Sequence, residues 1–323
     1  MVGAGALQPV DAVEVTVLVD NVVDILLPAT EVATRPPIDA GMLEPDREKL
    51  VAEHGLSLLL AVEREGRRDE VLYDAGLGAG TAIHNMDVLQ VRPADLRAIV
   101  LSHGHTDHHG GLEGIVRRAG ARGLPLVIHP DAWRDRRVVF PSGAELHLPP
   151  PNRNDLECEG VAVGEERRPS LLIDGAVLVT GEVERVTGFE RGLPGSEARA
   201  GDGWEPDPWI RDDQAVVAHV RDRGLVVLSG CSHAGAINVL RAAQRLTGVE
   251  RIHAFVGGMH LSGPAFEPLI GPTLDALDAI GPAWLVPCHC TGWRATHELA
   301  RRRPDAFVQT SVGTRLRFDA AVL

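Results

Sequence analysis

The chain has 323 residues, 44% of them hydrophobic and 24% charged, which is enough to bury a full core, and this length predicts one large domain or two modest ones. Acidic residues outnumber basic ones by 45 to 32, and the formal net charge is −13. A charge of this sign counts against nucleic acid as a partner, because nucleic-acid binding usually rests on a basic surface.

Short apolar runs rich in β-branched residues predict a series of strands. They fall at 13–19, 56–62, 71–73, 98–101, 125–128, 171–179, 215–220, 225–228, 252–256 and 284–286. Apolar residues at helical spacing predict helices at 111–120, 235–247, 266–280 and 294–303. This order favours an α/β (α+β) architecture over a doubly wound parallel sheet: two mixed sheets pack face to face, with helices on the outside.

Two segments rich in proline, glycine and charge, 141–169 and 188–212, are expected to be long loops. Loops of this length are usually functional covers or disordered, although they also occur as tolerated surface insertions. We expect both to border the active site. Trp204 and Trp209 are candidates for covering an aromatic or heterocyclic ligand, but tryptophans in loops also serve as packing anchors.

The stretch IVLSHGHTDHHGGL, residues 99–112, places four histidines and an aspartate within seven positions after a predicted strand. Neutral imidazoles and a carboxylate are the ligand set of zinc, or of iron and manganese. Residues two apart in an extended segment face the same way, so His103 and His105 can bind one ion. Asp107 and His108 would then reach a second ion.

The remaining residues of this stretch have supporting roles. His109 falls outside the ligand spacing and is expected to be exposed or to support the ligands through hydrogen bonds. Gly110 and Gly111 would let the backbone turn sharply, so that the next helix begins at Leu112 close to the metal ions.

Further ligands must come from other strand ends, because a catalytic zinc ion usually has about three protein ligands. The stretch LVVLSGCSHAG offers Cys231 and His233, HAFVGGMHLSG offers His260, and WLVPCHCTG offers His289. Each follows an apolar strand, so these loops should meet at one sheet edge. We take His233 and His289 as metal ligands, and His260 as a ligand-supporting or substrate-contacting residue.

The cysteines are too few, at four, for a disulfide framework. In an extended strand Cys288 and Cys290 would face opposite to His289, so we expect them to pack as small hydrophobic residues. Cys231 lies two residues before His233, on the same side of an extended chain. Its role as a metal ligand or as a close neighbour of the metal stays open.

The motif SHGHTDHHGG resembles the H-x-H-x-D-H signature of the metallo-β-lactamase fold hydrolases, and the resemblance extends from about Val13 to Phe318. It implies a single domain over 1–323, an αββα sandwich with metal ions at one edge of the two sheets, in agreement with the predicted order of elements. VLYDAG resembles the family's first motif. The resemblance implies that Asp74 supports the metal loop rather than binding metal, although a ligand role also stays open.

Within this superfamily, EHGLSLLL, DDQAVV, GCSHAG, GGMHL and PCHCTG look like the 7,8-dihydropterin-6-methyl-4-(β-D-ribofuranosyl)aminobenzene-5'-phosphate synthase-like branch. Two family motifs differ here. The usual bridging aspartate of the fourth motif is absent from Ser229, Gly230 and Cys231, and VTGEVER offers Glu182 where the third motif has a histidine. Glu182 or His233 would restore the ligand count for one or two ions.

These residues permit hydrolysis of a substrate by metal-bound hydroxide. One or two Zn²⁺ ions, or iron or manganese, would lower the pKa of bound water from about 15.7 to near 7. Asp107 would orient the nucleophile and accept its proton, and His260 would stabilise an oxyanion or protonate the leaving group. Asn21 and His54 match pocket positions of the family, or are ordinary turn residues.

The sequence thus predicts a metal-dependent hydrolase of a small organic molecule with an ester, lactone, thioester or phosphate group. Alternatives are a pterin/ribofuranosyl-phosphate-type synthase, a catalytically weak metal- and ligand-binding protein, or an iron enzyme that handles oxygen or sulfur. The N-terminal stretch MVGAGALQPVDAVEV lacks the features of a secretory signal. We therefore expect a cytoplasmic protein with a small-molecule substrate and no nucleic-acid or membrane partner. Self-association into a homo-oligomer stays open.

Overall fold

The structure is a computed structural model that describes residues 6–39, 41–120 and 122–321. The strands in this part of the chain are β1 (Pro9–Val10), β2 (Ala12–Val19), β3 (Ala33–Thr34), β4 (Ser57–Arg64), β5 (Arg67–Tyr73), β6 (Leu96–Val100), β7 (Pro125–Ile128), β8 (Arg136–Val139), β9 (Glu145–Leu148), β10 (Ala162–Glu165), β11 (Ser170–Leu172), β12 (Val177–Val179), β13 (Ser196–Ala200), β14 (Gly203–Pro206), β15 (Ala215–Val220), β16 (Gly224–Ser229), β17 (Ile252–Gly257), β18 (Trp284–Pro287) and β19 (Arg315–Asp319).

The α-helices in the same residues are α1 (Thr81–Val88), α2 (Thr106–His109), α3 (Leu112–Ala119), α4 (Arg153–Cys158), α5 (Ala236–Thr247), α6 (Ile270–Ile280) and α7 (Trp293–Arg302). None of these helices has the length and the apolar character that a membrane crossing requires.

The described strands form three sheets. Sheet 1 has the order β10-β7-β6-β5-β4-β2-β19-β3, and sheet 2 has the order β11-β12-β15-β16-β17-β18, with β1 also paired to β15. Sheet 3 is smaller, with the order β14-β13-β8-β9. Sheets 1 and 2 both mix parallel and antiparallel pairs, since β5 runs parallel to β6 but antiparallel to β4, and β16 runs parallel to β17 but antiparallel to β15.

Sheets 1 and 2 pack face to face around a central apolar core. On β2, Val13, Val15 and Val17 point into this core, because alternate residues of a strand share a face. Val216 and Ala218 reach the same core from β15. Strands such as β2 are also covered on their other face, which explains why they are nearly continuous apolar runs.

Helices cover the outer faces of both sheets. Ile115 of α3 packs in one cluster with Leu72 of sheet 1. Leu240 of α5 and Leu274 of α6 pack with Phe255 of sheet 2. The layers therefore follow the order αββα, and the fold class predicted from the sequence is confirmed.

The segments 141–169 and 188–212, expected as loops, contain β9, β10, β13, β14 and α4. Ion pairs link the strands of sheet 3, because Arg137 on β8 lies 3.0 Å from Glu145 on β9 and 2.7 Å from Glu197 on β13. These strands are short and polar, so apolar alternation does not reveal them in the sequence.

Candidate metal centre

The candidate site lies at the edge where parallel strands of sheets 1 and 2 end. In sheet 1, β5 and β6 lead into Asp74 and into the loop that begins at Leu101. In sheet 2, β16, β17 and β18 lead into Gly230, Gly258 and Cys288. The carboxyl ends of parallel strands are the common location of ligand sites in such sheets, because the loops that follow them converge.

Three imidazoles come together at this edge, those of His103, His105 and His233, whose possible ligand atoms lie within 4.8 Å of one another. Nδ1 of His105 is 3.1 Å from Nε2 of His233. Rings this close can share one ion, with His233 as the third ligand beside the predicted pair.

A second group of donors lies against the first. Nε2 of His108 is 3.2 Å from Sγ of Cys231, and these two residues share a cluster with His103. Oδ2 of Asp107 lies 3.2 Å from Nε2 of His289 and 3.9 Å from Nε2 of His108. Imidazole, thiolate and carboxylate together suit a second ion of the zinc type.

Asp74 fixes the orientation of two of these imidazoles. Its Oδ2 accepts from Nδ1 of His108 at 2.6 Å and from the hydroxyl of Ser102 at 2.7 Å. Because Ser102 donates its proton to Asp74, its oxygen accepts from Nδ1 of His103, at 2.8 Å. When these two imidazoles are neutral, they carry the free lone pair on Nε2. Burial opposes protonation of His108, but Asp74 and Asp107 raise its pKa to about 9, so metal binding at His108 requires the loss of a proton. This geometry agrees with the supporting role that the family resemblance implies for Asp74.

Asn21 orients His289 and His54. Its Oδ1 accepts from Nδ1 of His289 at 3.2 Å, and its Nδ2 lies 3.3 Å from Nδ1 of His54. Asp20, which sequence analysis did not single out, accepts from the amide of His289 at 2.8 Å. Nε2 of His289 and Nε2 of His54 therefore lie near Oδ2 of Asp107, at 3.2 and 3.8 Å.

Buried nitrogen atoms without a partner indicate that this cluster fits a metal ion. Within the cluster, such atoms are Nε2 of His103 and His105 and Nδ1 of His233 and His260. A buried polar nitrogen destabilises the fold unless a partner or an ion satisfies it. Burial lowers the pKa of His105 to about 3, and burial with nearby imidazoles holds the pKa of His103 and His233 well below the ordinary value. Neutral imidazoles are the form that binds zinc.

Several residues of the site have a left-handed backbone. Asp74, Ser232, His260 and His289 have φ values of 62°, 55°, 45° and 49°. Backbone of this kind costs about 1–3 kcal/mol per residue, and it clusters at functional sites where the surrounding structure imposes it. The strand ends are therefore shaped to direct these side chains rather than to continue the sheets.

The turn at His289 corrects the prediction for one of the flanking cysteines. Because His289 to Thr291 form a 3-10 turn rather than an extended strand, Cys290 lies on the cluster side, in one group with Cys231 and His289. The prediction that Cys290 faces opposite to His289 is wrong, although Cys290 is buried. Cys288 does pack in the central core.

The expected reason for two glycines of the metal loop is also wrong. Gly110 and Gly111 have ordinary φ values of −56° and −87°, so no sharp turn requires them. A Cβ atom at Gly110 would lie 1.8 Å from the carbonyl oxygen of Leu77, and one at Gly111 would lie 2.4 Å from that of Ala75. Glycine is needed because the loop packs directly on the backbone that follows β5.

Glu182 does not join the ligands. Its Oε1 accepts from Nη1 of Arg167 at 2.9 Å and lies 3.2 Å from Nε2 of His129. Of the two residues considered for restoring the ligand count, His233 is the one whose ring lies beside His105, with centroids 4.8 Å apart.

Both long segments contact the site. The carbonyl oxygen of Pro149 accepts from Nε2 of His109 at 3.1 Å, so His109 is a buried support of the metal loop and is not exposed. Glu190 of the second segment lines a small pocket of about 30 Å³ together with His233 and His260. The ring of His260 thus adjoins the space beside the ligands.

The two tryptophans differ in their surroundings. The ring of Trp204 lies 4.6 Å from the guanidinium carbon of Arg137 and 4.3 Å from that of Arg199. These cation–π contacts make Trp204 a packing anchor of sheet 3, the alternative that the sequence left open. Trp209 is 42% exposed, and a role in covering a ligand stays a prediction for it.

Sequence analysis missed a buried charge pair that holds the metal loop. Arg136 is fully buried and donates to Asp212 at 2.6 Å and to Asp207 at 2.9 Å. Asp212 also accepts from the amide of Gly104, in the middle of the metal loop, at 2.8 Å. Burial opposes ionisation of Asp212, but Arg136 and the Gly104 amide hold its pKa below the ordinary value. Arg136 and Asp212 are 76 residues apart, so their spacing gives no signal.

The comparisons with known proteins agree with this fold. The family model for the metallo-beta-lactamase superfamily matches residues 54–243, and the chain belongs to this superfamily. Its fold implies a metal ion, typically zinc.

A more specific likeness is to the 7,8-dihydropterin-6-methyl-4-(beta-D-ribofuranosyl)-aminobenzene-5'-phosphate synthase of Methanocaldococcus jannaschii. The two are 28% identical over 273 residues, which cover 83% of this chain and 90% of the relative. An uncharacterised protein of the same organism is 28% identical over 272 residues, or 82% of this chain and 94% of that protein. These relatives agree with the resemblance found in the sequence.

Among solved structures, the metal-dependent hydrolase Tm1679 of the beta-lactamase superfamily has a TM-score of 0.70 and 22% identity, covering 96% of this chain and 100% of that one. The metallo-beta-lactamase fold protein YhfI of Bacillus subtilis has a TM-score of 0.50 and 12% identity, covering 95% of this chain and 100% of that one. At these identities the likeness establishes the fold.

Proposed function

We propose that this protein is a metal-dependent hydrolase of a small organic molecule that carries an ester, lactone, thioester or phosphate group. The observation that carries the proposal is the place of Asp107. Its carboxylate lies 3.2 Å from Nε2 of His289 at the border of a buried imidazole cluster, while 19% of its side chain remains accessible. A carboxylate that touches both the ligands and the solvent can accept a proton from water during hydrolysis.

The donor set favours Zn²⁺, as one or two ions, with iron or manganese as alternatives. His103, His105 and His233 would hold one ion, and Asp107 and His289 would contribute to a second, with His108 and Cys231 close to both. When bound, a divalent metal makes water nucleophilic at neutral pH and withdraws electrons from the bond to be cleaved.

The protein's own groups supply the proton transfers. Burial opposes ionisation of Asp107, but His108 and His289 hold the pKa of its carboxyl well below the ordinary value. Asp107 is therefore ionised at neutral pH, which is the protonation state that a proton acceptor must have. His260 borders the small pocket beside His233, from which its ring can donate a proton to a leaving group or stabilise negative charge.

We further propose a small molecule as the partner, without nucleic acid or membrane, and the cytoplasm as the location. The net charge of −13 supports the proposal that nucleic acid is not a partner, because an acidic surface repels polyanions. Assembly into a homo-oligomer is compatible with this proposal.

A second candidate is a synthase of the pterin and ribofuranosyl-phosphate type. The likeness to the methanogen synthase favours it, because the alignment covers 83% of this chain. A catalytically weak protein that binds a metal and a small ligand would share the same cluster but would show no turnover.

The test compares wild type with Asp107→Asn on p-nitrophenyl acetate, a lactone and bis-p-nitrophenyl phosphate, each with added Zn²⁺, Mn²⁺ or Fe²⁺. The hydrolase predicts turnover that falls about 10²–10⁴-fold in Asp107→Asn, because the proton acceptor is lost. Cys288→Ser, a change in the core near the same turn, should keep its activity. Formation of the compound in the methanogen enzyme's name, without ester or phosphate cleavage, would favour the synthase. Ligand binding without any turnover would contradict both enzymes.

A further inference from the structure

A larger cavity lies beyond the metal centre, between the segment 22–50 and the end of α1. Its volume is about 550 Å³, which is within the range of roughly 300–1,000 Å³ for small-molecule sites. Val23, Leu43, Leu89 and Val312 contribute to its walls, and the candidate metal ligands do not. The cavity is therefore separate from the metal centre.

The segment that forms one wall of this cavity is unusually apolar at its surface. Seven of the fourteen large hydrophobic side chains that are exposed in the described residues lie within 22–51. Leu26, Ile38 and Leu43 are 75%, 66% and 74% exposed. Single exposed apolar side chains are ordinary, but half of them lie in this one short segment, and Val23, Ile25 and Leu43 among them line the cavity.

The charged groups of the cavity wall are mainly basic, although the chain as a whole is acidic. The charged lining consists of Arg35, Arg47, Lys49 and Arg315, against Asp24 and Glu48. Arg47 forms an ion pair with Asp39. The described residues place no carboxylate within ion-pair distance of the other three. Lys49 instead donates to the carbonyl oxygen of Arg47 at 2.9 Å, and Arg315 to that of Leu89 at 3.3 Å.

We propose that this cavity binds an amphipathic organic anion, a carboxylate or phosphate monoester on a hydrocarbon body. Lys49 and Arg315 would hold the anionic group, because their charges lack a carboxylate partner and charge-assisted hydrogen bonds are the strong ones. Val23, Leu43 and Leu89 would cover the hydrocarbon. This site does not depend on the proposed hydrolase activity, because it uses none of the metal-centre residues.

Isothermal titration of the whole protein with decanoate tests this proposal at low ionic strength, with and without EDTA. The affinity for decanoate should be the same with and without EDTA, within about twofold. Affinity should rise about fourfold per methylene from hexanoate to octanoate to decanoate, since each buried methylene contributes about 0.8 kcal/mol. Decanol and decyltrimethylammonium, which keep the chain but lack the negative charge, should bind at least about tenfold more weakly.

The variant Lys49→Gln/Arg315→Gln should weaken decanoate binding about tenfold or more, with the loss confined to anions. Arg117→Gln/Arg301→Gln, which removes two exposed arginines elsewhere, is the matched control and should bind decanoate as wild type does. The proposal is overturned if decanol binds as tightly as decanoate, if the first variant behaves like the control, or if EDTA abolishes binding. The last result would assign the carboxylate to the metal centre and would leave the proposed hydrolase standing.

Discussion

Replacement of Arg136 by methionine tests how the metal loop is held. Methionine approximates the length of the buried arginine stem but leaves Asp212, which is 0% exposed, without its cation. Asp207 keeps only Arg134, at 3.7 Å. Removal of one partner of a buried ion pair typically costs 3–5 kcal/mol, because the other charge stays buried and uncompensated.

This cost translates into a measurable shift of the melting temperature. With an unfolding entropy of about 2.1 cal/mol/K per residue, about 3–5 kcal/mol corresponds to a decrease of about 4–7 °C for a chain of this size. Because Asp212 also accepts from the Gly104 amide between two ligands, we expect zinc affinity to fall about 10–100-fold, as for other groups that orient metal ligands.

The assay is a thermal melt together with a competition titration of zinc against a chelating dye. Arg137→Met is the matched control on the same strand, because Arg137 is partly exposed and its ion pairs face Glu145 and Glu197. It should lower stability less than Arg136→Met does and leave zinc affinity unchanged. The double variant Arg136→Met/Asp212→Asn has no uncompensated carboxylate at position 212, and its asparagine can still accept from the Gly104 amide. At least half of the stability lost in Arg136→Met should therefore return. Zinc affinity within about twofold of wild type in Arg136→Met would refute this reasoning.

Three further predictions follow from the site. Cys231→Ser should lower the zinc content, because the sulfur of Cys231 is 3.2 Å from Nε2 of His108. Cys288→Ser should keep the zinc content, because Cys288 lies in the core. Equal metal contents of the two variants by atomic spectroscopy would contradict this. Zinc at about a hundredfold excess over Kd should raise the unfolding free energy by about 2.7 kcal/mol over the EDTA-treated protein, and denaturant melts that coincide would rule out a specific site. Burial raises the pKa of Asp213 to about 7 from 3.8, so the stability that its protonated form contributes is complete below about pH 4 and is lost as pH rises through 7. The asparagine of Asp213→Asn does not titrate. The unfolding free energy of this variant, relative to that of wild type, should therefore rise by about 2 kcal/mol between pH 5 and pH 8. Denaturant melts of both proteins at the two pH values check this.

The parts of the fold that were predictable are those in which burial imposes a periodic pattern. The apolar runs that became β2, β15 and β16 are buried on both faces, so their composition identifies them as strands. The helices α3 and α5 carry apolar residues at helical spacing because one side packs on a sheet. Sheet 3 lacks such a pattern, since its short strands are linked by ion pairs such as that of Arg137 with Glu145.

The site was predictable where ligand types cluster along the chain. The loop from His103 to His108 is recognisable because unusual side chains fall at close spacing after a strand. The side of the chain on which Cys290 lies was not predictable, because the φ of 49° at His289 is imposed by tertiary contacts. The partnership of Arg136 with Asp212 depends on contacts between distant elements, which one sequence does not reveal.

The most direct test of whether this cluster is a metal centre is the metal content of the protein. It is measured by mass spectrometry of the elements after purification without added metal. We expect one to two equivalents of zinc, or of iron or manganese, per chain, because the cluster offers donors for one ion and for a second beside it. A content near zero that zinc addition and desalting do not raise would contradict it, since the buried unpartnered nitrogens of His103, His105 and His233 would then need another explanation.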